Sequence, residues 1–270
     1  MRLKKLLAIV VVVAIGVGAV AFARDWRSGI AWTEPKLVTP AEKLGGAPSD
    51  ATVLFDGKDT SEWENGSWKV VDGEMVAGKR DNVTKKKFGS VQLHIEFAVP
   101  VNNSGGQGAG NSGVYFGSNY EVQILDSFPE KDAQGKNKKS TYFDGQCGSI
   151  YKQRAPEVNA CRKGGEWQSY DIVFNRPKLQ IAEKDGKKVI EKVIRPAYLT
   201  VFQNGVLIIN HHELEGSTSW DNAPHYDPHE ELLPIRLQDH GAPVKFRNIW
   251  IREIQDDNTK PKQEREPYFN

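Results

Sequence analysis

Apolar and polar residues alternate in short runs separated by turn residues along most of the chain, the pattern of strands half-buried in a sheet. Residues 91–99 set Leu93, Ile95 and Phe97 against Gln92, His94 and Glu96. Residues 67–71 run into Asp72-Gly73 and continue as 74–77, and residues 199–202 run into Asn204-Gly205 and continue as 206–210. Both dipeptides favour two-residue hairpin turns. The same patterning predicts strands over 113–116, 120–125, 168–175, 235–238 and 244–252. No apolar stripe of helical period persists for three turns, so the chain reads as all-β. Short strands between regularly spaced turns predict a β-sandwich.

The ends of the chain have other patterns. Arg2, Lys4 and Lys5 precede an apolar run over residues 6–20, and Ala21-Phe22-Ala23 gives the small-x-small motif of a cleavage site. Residues 1–23 therefore read as a signal peptide, cut before Arg24, with the protein exported to the periplasm or the extracellular space. The run is also close to the roughly 17 residues that span a bilayer, which leaves an uncleaved anchor as the alternative. Residues 24–50 carry Pro35, Pro40, Pro48 and Gly45-Gly46 and read as an extended tether. The sandwich is expected over 51–254, and residues 255–270 as a charged, flexible tail.

Composition narrows the partners. Lys plus Arg number 36 against 35 Asp plus Glu, a formal charge of +1. Such a balance gives no reason to expect nucleic acid, and the lysine runs at 85–87 and 136–139 read as solvated loops. A membrane contact is expected only through the N-terminal segment. Cys147 and Cys161 are the only cysteines. In an oxidising compartment they read as a disulfide contributing ~3 kcal/mol, with two buried free thiols as the alternative. Seven tryptophans and eight tyrosines supply either core or platforms for sugar rings.

Two stretches carry chemistry. In residues 120–125, Glu121 and Gln123 share one strand face while Val122 and Ile124 share the other. Carboxylate and amide together accept from and donate to polyol hydroxyls, so both are candidate carbohydrate-binding groups. Asp126 has the wrong parity for that face and is placed at its rim. In residues 235–240, Arg236, Gln238 and His240 share a face opposite Ile235 and Leu237. The unperturbed pKa of an imidazole lies near neutrality, which makes His240 a candidate general acid or base. His211, His212, His225 and His229 cluster nearby in sequence without a zinc-helix spacing. A divalent metal held by those loops stays open, and no cofactor is otherwise indicated. Nucleophile elbow, phosphate loop and dinucleotide fingerprint are all absent. Also absent is the Glu-x-Asp-x-x-Glu strand by which sandwich glucanases set two carboxylates roughly 5 Å apart.

The chain resembles the 3-keto-disaccharide (3-keto-glycoside) hydrolase family. The resemblance lies in Leu54-Phe55-Asp56-Gly57-Lys58 with Trp63, residues 68–74, 111–116 and 120–126, and Gly148-Ser149-Ile150-Tyr151. It continues in Gly165-Glu166-Trp167-Gln168, Asn204-Gly205, residues 237–241 and Phe246-Arg247-Asn248-Ile249. The resemblance implies a concanavalin A-like lectin/glucanase jelly roll acting on sugars oxidised at C3. It matches Glu121, Gln123, Asp126, Gln238 and His240 to the family's polar strands, and Asn111, Tyr151 and Arg247 to its other polar positions. A ketone at C3 acidifies the C2 hydrogen, so one base removes it, the C1 substituent leaves and water adds. That route needs a base and a group facing the enolate oxygen, but no carboxylate pair. Either His240 or Glu121 is expected as the base, and Arg247 or a bound cation as the group facing the enolate. A non-catalytic carbohydrate-binding module is the alternative.

Overall fold

The structure, a computed structural model, describes residues 35–64, 66–101, 105–131, 133–137 and 141–256. The expected signal peptide and most of the tail lie outside these residues. One compact unit spans Val38–Asp256. Its described residues form fourteen strands: β1 (Thr52–Phe55), β2 (Lys69–Val71), β3 (Glu74–Val76), β4 (Asn82–Phe88), β5 (Val91–Ala98), β6 (Ser112–Phe116), β7 (Tyr120–Ile124), β8 (Gln168–Asn175), β9 (Lys178–Lys184), β10 (Lys187–Arg195), β11 (Tyr198–Gln203), β12 (Val206–Glu213), β13 (Leu233–Leu237) and β14 (Lys245–Glu253).

These strands build an antiparallel sandwich of jelly-roll type. The larger sheet runs β12-β11-β8-β5-β14-β3-β2, with β1 also paired to β14; the smaller runs β4-β13-β6-β7. β9 and β10 form a separate hairpin. Period-2 alternation decides which face is dry. On β5, Val91, Leu93, Ile95 and Phe97 are fully buried, and on β8 Tyr170, Ile172 and Phe174 are buried against them. Val114, Phe116, Tyr120, Val122, Ile124, Ile235 and Leu237 of the smaller sheet meet them across the core. Phe116 and Phe174 stack between the sheets at 4.3 Å. Each such side chain contributes about 1.5–3 kcal/mol by leaving water.

Three expectations are corrected here. The lysine run at 85–87 is not a loop but the exposed part of β4, held by its pairing with β13. β9 and β10, whose residues do not alternate cleanly, form a strand pair that the patterning leaves unread. Part of the expected tether belongs to the compact unit. Gly45 lies across the outer face of the larger sheet, where its carbonyl accepts from Trp250 Nε1 and Asn248 Nδ2, both at 2.8 Å. Asp50 is ion-paired with Arg252 at 2.7 Å. At the other end Asp256 pairs with Arg176 at 2.7 Å, so the first residues of the expected tail are also fixed.

Candidate functional site

Two strands of the smaller sheet, β6 and β7, are buried on both sides. Every residue of β6 and β7 is buried, including the polar face that points away from the core. Loops roof that face and leave a cavity of about 470 Å³ between themselves and the sheet.

Strand register arranges the cavity floor in two rows. Arg236 pairs with Tyr115, which pairs with Glu121 on the next strand. One step along, Gln238 N donates to Gly113 O at 3.0 Å, and Gly113 pairs with Gln123. The glycine is a spatial requirement: a Cβ there would sit 2.2 Å from Glu121 Oε1 and 2.8 Å from Tyr115 Cε2. Its missing side chain gives the Glu121 carboxyl and the Tyr115 ring their room.

Electrostatics in the first row are set by burial. Glu121 is 6% exposed. Desolvation raises its pKa from the ordinary 4.5 to about 7, against the opposing effects of a hydrogen bond from Tyr115 and the charge of Arg236; Asp81 pushes in the same direction as burial. The carboxyl is thus poised to exchange a proton near neutrality. Burial likewise pushes the Tyr115 hydroxyl well above its ordinary range, with the Glu121 charge adding to it. The Arg236 guanidinium lies 3.7 Å over the Tyr115 ring and pairs with Asp81 at 2.5 Å. It is a cation held in place beside a group that carries charge only part of the time.

The second row is an amide and hydroxyl network. Tyr151 donates to Gln107 Oε1 at 2.6 Å, Gln123 Nε2 donates to Tyr151 at 3.2 Å, and Tyr142 and Tyr151 hydroxyls meet at 3.1 Å. Asn111 Nδ2 donates to Gln107 Oε1 at 3.1 Å, and Gln238 Nε2 to Tyr115 at 3.3 Å. Gln123 Oε1 and Gln238 Oε1 are buried with no hydrogen-bond partner among the described residues. Leaving a buried acceptor unpaired costs about 1–3 kcal/mol. Two such acceptors in one cavity are matched by a ligand rich in O–H or N–H donors.

Of the residues singled out from the sequence, Asn111, Glu121, Gln123, Tyr151, Arg236, Gln238 and His240 all line this cavity, His240 at its exposed end. Two do not. Asp126 follows the end of β7, is completely buried, and turns its carboxylate to the Phe128 amide at 3.2 Å. Arg247 is on β14 in the larger sheet, where it binds Glu96 at 2.6 Å and lies 4.0 Å over the Trp167 ring. The expected disulfide is not formed in this structure. Cys147 and Cys161 are buried free thiols. Cys147 Sγ meets the Tyr170 hydroxyl at 3.0 Å and accepts from Gln203 Nε2 at 3.4 Å, and the Cys147 and Cys161 thiols also hydrogen-bond to each other.

The histidine cluster disperses. His229 Nε2 meets the Tyr120 hydroxyl at 2.8 Å, His225 pairs with Asp227 at 3.1 Å, and His211 stacks on Tyr198. His212 is half-buried on β12, and burial lowers its pKa. Among the described residues no group of three or more His, Cys, Asp or Glu side chains is gathered as a metal site. The cavity also contains groups that the patterning does not reveal. Tyr115 enters through the register of β6 against β7. Gln107 comes from a glycine-rich loop, and Thr218, Ser219, Trp220 and Asp221 from the loop after β12. Trp220 is 76% exposed, the opposite of a core tryptophan. Its loop is fixed at Thr218, whose Oγ1 accepts from Glu121 N at 3.2 Å.

A protein of Parabacteroides distasonis ATCC 8503, whose crystal structure is described as that of a candidate glycosyl hydrolase, is 42% identical. It superposes with a TM-score of 0.71 over 84% of this chain and 95% of its own. A second protein of that organism, described in the same way, is 24% identical, with a TM-score of 0.53 over 76% and 94% of the two chains, and shares the fold. No protein with a curated function matches the chain. Residues 50–252, which contain every strand of the sandwich but the last residue of β14, match the 3-keto-alpha-glucoside-1,2-lyase-like domain. The chain belongs to that family, a family of carbohydrate-active proteins.

Proposed function

We propose that the protein is an exported enzyme that cleaves the glycosidic bond of a sugar already oxidised at C3. Removal of the C2 proton is followed by elimination of the C1 substituent and then by hydration. The observation that supports this most strongly is a buried carboxyl titrating near 7 on the floor of a cavity lined with amide and hydroxyl groups.

Glu121 is the base. With its pKa near 7 it holds a useful fraction of carboxylate at neutral pH and is basic enough to take an acidified C–H proton. As the proton leaves, negative charge grows on the C3 oxygen. Arg236 is the fixed cationic donor beside Glu121 for such charge, replacing Arg247 in that role, while the Tyr115 hydroxyl donates to the Glu121 carboxylate. The unpaired oxygens of Gln123 and Gln238 accept from sugar hydroxyls, and the exposed Trp220 ring offers a face for C–H stacking. No step requires a metal.

A second reading rests on Asp221. It also lines the cavity, and its hydrogen bond from Ser219 holds its carboxyl below the ordinary range while burial holds Glu121 above. Carboxyls pushed apart in this way are the acid and nucleophile of ordinary glycosidases. One experiment decides: 3-keto and unoxidised disaccharides are incubated with wild type, Glu121→Gln and Asp221→Asn, with and without chelator. The elimination reading expects turnover of the keto sugars alone, lost in Glu121→Gln and kept in Asp221→Asn. Turnover of the unoxidised sugars, lost in both variants, rejects it. A binding module turns over neither.

A further inference from the structure

The cavity does not end at His240. A second chamber of about 320 Å³ opens beyond Gln107, Asn111 and His240, and these three residues line both spaces. Its other walls are Pro100, Ala242, Pro243 and two glycines.

The chambers differ in chemistry. The first holds Glu121, Asp221, Arg236 and the unpaired amide oxygens. Among the described residues, the second has no ionisable side chain apart from the shared His240. Proline rings and an alanine methyl pack against C–H surfaces, while a charged group brought there loses hydration without compensation. Each volume falls near the lower end of the ~300–1,000 Å³ typical of small-ligand sites. Each therefore suits one small unit, joined to the other past His240.

We infer that the second chamber is the leaving-group subsite and takes a neutral glycosyl unit. This rests on the 3-keto-glycoside reading above. The oxidised ring lies over Glu121, the departing sugar lies against Pro100 and Pro243, and the bond between them passes His240. When the C1–O bond breaks, its electron pair goes to the departing oxygen, and the His240 imidazolium supplies the proton that completes a free hydroxyl. Glu121 retains the proton from C2. The products are a neutral sugar and an unsaturated 3-keto sugar, to which water then adds.

The test compares two substrates in wild type and Pro243→Trp, where the indole occupies the second chamber from its exposed wall. A 3-keto disaccharide fills both chambers; 3-keto methyl glucoside leaves the second empty. The variant is expected to lose about tenfold or more in kcat/KM for the disaccharide and stay within about twofold for the methyl glucoside. Equal losses on both, or no loss on either, overturn the assignment. Gly108→Trp fills the same chamber from another loop and must give the same split. If wild type turns over neither substrate, the reaction assigned above fails and the chamber is decided by calorimetry with unoxidised sugars. A glycosyl subsite then requires the disaccharide to bind about tenfold tighter than methyl glucoside, an advantage lost in both variants. Equal affinities overturn it.

Discussion

Glu121 is carried at the expense of stability, and the cost is measurable. In the unfolded chain its carboxyl titrates near the ordinary 4.5; in the fold burial raises that to about 7. The native state therefore binds the extra proton between those values. Its stability contribution is full below pH 4.5 and is lost as pH rises through 7. At about 1.4 kcal/mol per pH unit, roughly 3 kcal/mol disappears across this window. Glu121→Gln has no proton to lose and keeps an acceptor for the Tyr115 hydroxyl, so it is free of this decline. The variant and wild type are expected to have similar stability at pH 4.5 and to diverge above it. By pH 8.5 the variant leads by about 3 kcal/mol, which for a domain of this size is roughly 6–12 °C in Tm. Urea unfolding of both proteins at half-unit steps from pH 4.5 to 8.5 makes the comparison. A difference that stays constant with pH would show that the Glu121 carboxyl titrates normally, and the argument for it as a neutral-pH base would go with it. The same variant is expected to lose turnover, so stability gained and activity lost at pH 8 are two readings of one buried charge.

Further outcomes follow from the geometry. Gly113→Ala, whose Cβ would stand 2.2 Å from Glu121 Oε1, is expected to lower kcat/KM at least about 100-fold while the circular dichroism spectrum is retained. Trp220→Ala removes an exposed ring and is expected to raise KM about fivefold, near 1 kcal/mol of stacking, with Tm unchanged. Arg247→Ala, on the larger sheet, is expected to leave turnover within about twofold and lower stability by at most about 1 kcal/mol, because Glu96 loses one partner and keeps Asn248. Cys147 and Cys161 are expected to react with a maleimide only after unfolding, two per chain; a purified protein with none reactive when denatured carries the bridge instead.

The sandwich was legible because alternation records burial directly. Leu93, Ile95 and Phe97 point inward wherever β5 is placed, and Asp72-Gly73 and Asn204-Gly205 announce their hairpins. β4 was illegible because Lys85, Lys86 and Lys87 break the alternation, and only its pairing with β13 makes it a strand. β9 and β10 fail for a related reason: little of their surface is buried, so burial leaves little pattern. The site divides the same way. Parity on one strand put Glu121 with Gln123 and Arg236 with Gln238 and His240. What parity cannot express is register between strands, which sets Tyr115 between Arg236 and Glu121. Nor can it express loop closure, which brings Gln107 and Trp220 over the floor. Arg247 shows the reverse error, a polar residue of suitable type on a strand of the wrong sheet.

The clasp at Gly45 bears on how the domain faces its surroundings. Trp250 and Asn248 hold that carbonyl on the outer face of the larger sheet, while the cavity opens on the outer face of the smaller one. The entry segment and a ligand in the cavity therefore occupy opposite outer faces of the sandwich and do not compete for the same sheet surface.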